Sequence, residues 1–279
     1  MPLRSHLDTL RSHILCSVFS RPVSLGSQGP LVSFCFDDFP RTAYTVGGTI
    51  LKSFGVHGTF YVAPRLIDTT NSLGDQLTHG DIDSLLTDGH ELGCQTFNHL
   101  SCRTLPLSFF ELEVLKARKF LRELTGYDPS NFAYPQGHVS LRCKRRLGPQ
   151  MSSSRGPCGG INEQIADLNL LRANSLYGDL DQMDRIESLL SRNVSSQGWL
   201  IFHTHDVRRN HSPFGCTPAL LDSTLLLAMK KGCRIASIKE AISTQDAPEH
   251  PQQRVSPVYE RTSSALDSTG SFTAPPSSR

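Results

Sequence analysis

The chain has 279 residues, of which 38% are hydrophobic and 19% are charged. This composition suffices for a sizeable core and carries too little charge for a wholly disordered chain. The formal net charge of +2 argues against a dedicated nucleic-acid-binding protein, which usually carries a basic surface. The sequence contains no run of about 18 apolar residues, and this excludes a membrane-spanning helix.

The first 28 residues show no clear hydrophobic period and predict an N-terminal extension. Within them, the apolar segment 13–19 is interrupted by polar residues, and no small-x-small cleavage site follows before Pro22, so we do not expect a secretory signal. The eight cysteines are scattered without a Cys-x-x-Cys pair, which is typical of neither a disulfide scaffold nor a zinc knuckle. We therefore expect a reduced, cytoplasmic setting rather than a secreted or periplasmic one.

A single domain is expected over residues 29–244, where short apolar runs alternate with helix-length segments. The predicted strands are 31–36, 58–63, 91–97, 132–134, 170–176, 199–203 and 234–238. The predicted helices are 42–54, 82–87, the segment after Ser108 up to Gly126, 181–191 and 218–231. Capping boxes are predicted at Thr78, before the helix 82–87, and at Ser108. The alternation predicts parallel strands with helical crossovers, and about seven strands favour a barrel over a doubly wound sheet.

The last segment, residues 245–279, collects Ser, Pro, Thr, Gln and Ala. A segment of this kind cannot bury enough apolar surface to offset its chain entropy, and it is predicted to be a disordered tail. The chain contains no Gly-x-Gly-x-x-Gly or Walker A sequence that would indicate a nucleotide site.

Polar residues follow four of the predicted strands at their carboxyl ends, the edge on which parallel barrels build active sites. Asp37 and Asp38 end the first strand, and later strands end in the segments 95–99, 134–137 and 203–206. Two adjacent carboxylates point in different directions, so one can bind a metal while the other acts as a base. Asp and His with an open position suit a hydrolytic divalent metal.

Four short segments, in this order and spacing, resemble the motifs of the polysaccharide deacetylases, the nodulation-protein-B homology family (carbohydrate esterase family 4). They are Ser33-Phe34-Cys35-Phe36-Asp37-Asp38, Gln95-Thr96-Phe97-Asn98-His99, Ala133-Tyr134-Pro135-Gln136-Gly137 and Ile201-Phe202-His203-Thr204-His205. The likeness extends over about residues 30–242. It implies a distorted (β/α) barrel of seven or eight parallel strands that removes acetyl groups from sugar polymers with a divalent metal, commonly zinc.

The resemblance also implies a role for each matching residue. Asp37 would be the general base and Asp38 a metal ligand, with His99 as the second ligand and His205 as the general acid that protonates the leaving amine. Tyr134, Pro135 and Gln136 would line the sugar groove, and the main-chain N–H of Gln136 would help to hold the oxyanion.

Four departures from the family motifs weaken this likeness. Gln95 stands where a metal-binding histidine is expected, and its amide oxygen is a weaker ligand for zinc than imidazole. Ala133 replaces the arginine that orients the base, and Gln136 replaces the groove tyrosine. No clear Asp-Trp pair of the fourth motif is present. Because His203 lies two residues before His205 on a strand, it faces the same side and is a candidate substitute ligand.

The first functional interpretation is a metal-dependent deacetylase that hydrolyses N-acetyl groups of a chitooligosaccharide or another polysaccharide. Two alternatives stay open. A catalytically impaired descendant would keep the groove and bind glycans without turnover, as the two glutamines favour. A deacylase acting on a small amide is also compatible with the fold.

Overall fold

The computed structural model describes residues 17–25, 29–156 and 158–244, all of which fall in one structural unit. The predicted tail 245–279 lies outside the described residues, as does most of the predicted N-terminal extension. Within that extension, β1 (Pro22–Ser24) pairs antiparallel with β9 (Ile165–Asp167). The domain boundaries therefore stay predictions.

A parallel sheet curls around the core of the described unit, confirming the predicted α/β barrel-type architecture. Its strands are β2 (Leu31–Phe36), β3 (Thr59–Val62), β6 (Glu91–Cys94), β7 (Asn131–Ala133), β8 (Ser153–Arg155), β10 (Asn174–Ser175), β11 (Trp199–Thr204) and β12 (Arg234–Ile235). Their order is β10-β11-β2-β3-β6-β7-β8, with β12 also beside β2. A two-stranded ribbon, β4 (Thr70–Asn71) and β5 (Gly74–Asp75), lies off this sheet. The central strand β2 is buried along its whole length, as expected for a parallel strand covered on both faces.

Helices connect successive strands. They are α1 (Thr49–Ser53), preceded by a π-helical segment (Ala43–Gly48), α2 (His79–Thr87), α3 (Leu107–Thr125), α4 (Leu141–Leu147), α5 (Met183–Ser196), α6 (Pro218–Lys230) and α7 (Ile238–Ser243). Short 3₁₀ turns cover Pro64–Leu66, Pro135–Gly137 and Leu180–Gln182. The helices pack on the sheet through a core that contains stacked rings of Phe36 and Phe60.

The two predicted capping boxes had different outcomes. Thr78 caps α2, because its hydroxyl accepts from the N–H of Asp81 while the Asp81 carboxylate accepts from the N–H of Thr78. The box at Ser108 is wrong. Helix α3 begins at Leu107, so its N-cap position is Pro106, two residues before Ser108. No side chain caps it, and Ser108 already lies inside the first turn.

Seven cysteines lie in the described residues, and no disulfide joins any two of them. No helix in these ranges has the length and apolar character needed to cross a membrane. The predicted cytoplasmic setting is untested by either observation.

Candidate active site

A cleft of about 720 Å³ opens at the carboxyl ends of the parallel strands. The sequence-predicted residues that line it are Asp37, Asp38, Gln95, His99, Tyr134, Gln136, His203 and His205. Four strand ends, separated by up to 168 residues in the chain, thus meet at one edge of the sheet, as parallel pairing requires.

Asp37 is held in its ionised form at the floor of the cleft. The guanidinium of Arg155 donates from Nη2 to its Oδ1, and Nδ1 of His203 lies 3.5 Å from its Oδ2. Burial raises the pKa of Asp37, but the Arg155 charge and the contact with His203 outweigh burial and hold the pKa well below its usual range. The side chain is therefore a carboxylate at neutral pH.

Arg155 is the functional residue that sequence reasoning missed. It ends β8, where it lies directly beside Ala133 of β7, the position at which the family motif has its arginine. The guanidinium therefore comes from the neighbouring strand and still contacts Asp37. The segment before it, Ser152-Ser153-Ser154, has no apolar period that would predict a strand.

Asp38 and His99 form a pair whose geometry suits a metal. Oδ1 of Asp38 and Nε2 of His99 are 2.8 Å apart, which is ion-pair distance, and neither buried atom has a further hydrogen-bond partner in the described residues. Each atom thus contacts only the other, and a ligand bound by both would complete their coordination. Carboxylate oxygen and imidazole nitrogen are zinc ligands, and the pair therefore fits a divalent cation.

The third predicted ligand is the amide of Gln95. It is buried, and its Oε1 accepts a hydrogen bond of 3.1 Å from the main-chain N–H of Asp38. Throughout the described part of the chain, no group of three or more His, Cys, Asp or Glu side chains is arranged to hold a metal ion. The site thus offers two side chains of the usual kind and one amide oxygen that already accepts one hydrogen bond.

The backbone of the following loop fixes the orientation of His205. Its Nδ1 lies 3.1 Å from the carbonyl oxygen of Phe214, which can only accept, so Nδ1 carries the proton and Nε2 faces the cleft. Nε2 is 3.7 Å from Oδ2 of Asp38. The loop is in turn held by buried Asp206, which accepts from the N–H and the hydroxyl of Ser212. The Phe214 carbonyl thus fixes the tautomer and the orientation of the His205 imidazole, a role that a carboxylate often has in other proteins.

His203 lies on the side of Asp37 rather than beside the Asp38–His99 pair. Its Nδ1 is 3.3 Å from the hydroxyl of Tyr177 in addition to its contact with Asp37. Burial lowers the pKa of His203, and the contact with Asp37 offsets this only in part. These contacts favour a role in holding the base over the role of substitute metal ligand.

The third motif contributes unequally to the cleft. Gln136 and Tyr134 line it, whereas Pro135 is buried and is not among the lining residues. The Tyr134 ring is also buried, and it packs edge-on against Phe132 with ring centroids 5.1 Å apart. Gln136 has a φ of 56°, so its main chain turns sharply at the cleft wall.

Left-handed backbone is concentrated around this cleft. Nine non-glycine residues of the described ranges have positive φ, and five of them follow strand ends at the site: Asp38, Phe39, Thr96, His99 and Gln136. Each such conformation costs about 1 kcal/mol or more and persists where surrounding structure enforces it, most often at functional sites.

Comparison with known proteins shows what this chain resembles in sequence and in fold. The family model for polysaccharide deacetylase matches residues 26–151, which include the first three motifs. No curated protein matches the chain. The chitin deacetylase from the fungal pathogen Colletotrichum lindemuthianum is similar in structure, with 19% identity, a TM-score of 0.57, and coverage of 81% of this chain and 95% of that chain.

Two further solved structures share the fold. A mutant, with restored enzymatic activity, of a carbohydrate esterase family 4 pseudoenzyme from Bacillus anthracis has 15% identity and a TM-score of 0.52, covering 78% of this chain and 69% of that chain. A family 4 acetyl xylan esterase from Clostridium thermocellum, in complex with a cobalt ion, has 18% identity and a TM-score of 0.51, covering 76% and 90%. The chain is thus similar to the polysaccharide deacetylase family over residues 26–151, and it shares the fold of these solved structures.

Proposed function

We propose that the protein is a hydrolase that removes N-acetyl groups from an amino sugar within a saccharide. The observation that carries this proposal is the ionised Asp37, held by Arg155 directly beside the pair of Asp38 and His99. A buried carboxylate and a buried guanidinium are costly to desolvate, and here the pair sets an ionised group beside two side chains of the kind that bind zinc.

Asp38, His99 and Gln95 would hold the divalent cation, with zinc as the first candidate. When bound, the cation supplies a Lewis acid that lowers the pKa of water toward about 7. Asp37 then accepts the proton of the attacking water at its carboxylate. The main-chain N–H of Gln136 donates to the oxygen that develops negative charge, which lies at the cleft wall.

His205 completes the reaction by delivering a proton to the departing sugar amine. Because Phe214 accepts from Nδ1, the proton that His205 gives up is the one on Nε2, the nitrogen that faces the cleft. The products are acetate and a saccharide with a free amine. Asp37 and His205 follow the neighbouring strands β2 and β11, so that base and acid reach the same cleft.

The test combines acetate release with metal content. The full chain, loaded with zinc or cobalt, should release acetate from N-acetylated chitotetraose. Asp37→Asn should retain the metal and lose turnover by about 10²- to 10⁴-fold, because only the base is removed. Asp83→Asn, an exposed aspartate on α2, is the matched control and should behave as wild type, and circular dichroism verifies the fold of each variant.

A glycan-binding protein without turnover is the second candidate, and Gln95 is the observation that favours it. The similarity in fold between this chain and a carbohydrate esterase family 4 pseudoenzyme is consistent with this alternative. Binding of chitotetraose without acetate release, at saturating zinc and at saturating cobalt, would contradict the deacetylase and establish the binder.

A further inference from the structure

We propose that the saccharide bound in this cleft carries an oxyanion, a carboxylate or a phosphate, and that Arg185 at the cleft mouth binds it. The inference rests on the proposed function and adds the chemical class of the substrate. The charged groups that line the cleft carry this inference.

The described lining residues include two arginines and two carboxylates. Arg155 and Asp37 neutralise each other at the floor. Asp38 faces the imidazoles of His99 and His205. Arg185 is therefore the one charged group of the described cleft lining that faces no opposite charge. It is exposed, and it forms no ion pair with any residue that the structure describes.

One edge of the Arg185 guanidinium is anchored. Arg185 lies in the first turn of α5, its Nη2 donates to the carbonyl oxygen of Ser175 at 2.8 Å, and its Nε approaches Oε1 of Gln182 at 3.4 Å. Ser175 ends β10 and lines the cleft as well. The group is thus held at the mouth before a ligand arrives, which reduces the entropy lost on binding.

The free edge of the guanidinium determines which ligand it suits. The planar fork of an arginine matches carboxylate and phosphate oxygens, and Nη1 of Arg185 has no partner among the hydrogen bonds of the described chain. Two acidic side chains flank the same turn, Asp181 and Asp184, but neither lines the cleft. Asp181 accepts from the side chain of Gln182. The mouth of the cleft therefore presents one unpaired positive charge.

Paired probes test the proposal by isothermal titration calorimetry of the full chain at low salt. Each titration is carried out on the protein as purified, and again with a chelator that removes any metal able to bind phosphate. N-acetylglucosamine 1-phosphate is compared with N-acetylglucosamine, and a hyaluronan tetrasaccharide, which carries uronate carboxylates, with neutral chitotetraose. We expect wild type to bind the anionic member of at least one pair about tenfold more tightly. The pair that shows the preference identifies phosphate or carboxylate.

The variants assign the preference to Arg185. In Arg185→Gln the ratio of the two dissociation constants should fall to within twofold of one, and Arg185→Lys should retain part of the preference. Arg192→Gln removes an exposed arginine two turns further along α5, outside the cleft lining, and should keep the wild-type ratio.

Three results would overturn the proposal: wild type with no preference in either pair, no binding of any probe, or an equal loss in Arg192→Gln and Arg185→Gln, which would indicate general surface charge. Acetate release from chitotetraose is measured in parallel. A chain that releases acetate but shows no anion preference would leave the deacetylase proposal standing and remove this one alone.

Discussion

The two ends of the parallel strands bury similar polar residues with opposite results. At the amino ends, Glu91 accepts from the hydroxyl of Thr59, from the side chain of Asn131 and from the main-chain N–H of Lys239. Asn131 in turn accepts from the hydroxyl of Ser153. Each partner starts a neighbouring strand or the last helix, so this network joins the elements of the fold.

At the carboxyl ends, the same kinds of groups are left incomplete. Among the described residues, Oδ1 of Asp38 and Nε2 of His99 are buried and have no hydrogen-bond partner besides their contact with each other, and Nε of Arg155 is buried without one. A polar network with all its partners stabilises a fold, whereas an incomplete one costs stability and is kept where something else binds. The contrast separates residues that hold the barrel together from residues that serve the reaction.

The largest effect should come from the incomplete end. Asp38→Asn should reduce acetate release by more than about 10³-fold and abolish zinc binding, because it removes a charged ligand. Its melting temperature without metal should stay within a few degrees of wild type. Metal content, acetate release and thermal melting check this. A variant that keeps its zinc would break the comparison, since Asp38 would then be an ordinary polar residue.

The second-largest effect is expected at the amino ends of the strands, where the network around Glu91 is complete. Glu91→Ala leaves three donors without an acceptor and should lower the free energy of unfolding by about 3 kcal/mol, or the melting temperature by about 6 to 12 °C. Zinc affinity should not change. Glu91→Gln, which keeps the shape, should lose less. The control is Glu123→Ala on the exposed face of α3. Unchanged melting in Glu91→Ala would contradict a structural role for this network.

His90, next to Glu91 in the chain, differs from this network because one of its ring nitrogens has no partner among the described residues. His90 accepts from the N–H of Gly58 at Nδ1, while its buried Nε2 has no partner. Burial, followed by the nearby His57, lowers the pKa of His90 to about 4. The unfolded chain therefore binds the proton first on acidification, and stability should fall as the pH drops from about 6.5 to about 4, by on the order of 2 to 3 kcal/mol.

Urea unfolding at pH 7.5, 6, 5 and 4.5 measures this dependence. His90→Asn retains an acceptor for Gly58 and does not titrate, so its stability should decline less steeply over that range. His79→Asn, at an exposed position, serves as control. If the free energy of unfolding falls with pH equally in wild type and His90→Asn, then His90 is solvated in solution. It would then no longer be an exception among the polar groups at the amino ends.

The smallest effect sharpens the assignment of the incomplete end. Gln95→His exchanges an amide oxygen for a nitrogen ligand and should tighten zinc binding by about 10- to 100-fold. Acetate release should rise at limiting zinc and gain less at saturation. Gln150→His, a partly buried control away from the cleft, should leave zinc affinity unchanged. Equal zinc affinity of Gln95→His and wild type would mean that Gln95 does not face the metal.

Sequence reasoning reached most of the fold, because apolar runs and capping residues are local signals. The strand at 31–36 and the cap at Thr78 are observed as predicted. The strand predicted over 91–97 ends at Cys94, since Thr96 turns into left-handed backbone. Helix α4 and strand β8 were missed, because Lys, Arg and Ser dominate them and no apolar period marks them.

What the sequence by itself determined is the order of the motifs and the end of the strand at which each polar residue lies. Both follow from local spacing, since a strand ends where its apolar run ends. Only the tertiary structure decided which side chains meet. Arg155 reaches Asp37 because β7 and β8 pair in a register that sets Arg155 beside Ala133, and the Phe214 carbonyl orients His205 because Asp206 folds the intervening loop back. Lateral contacts of this kind depend on pairing between distant segments, which no local pattern records.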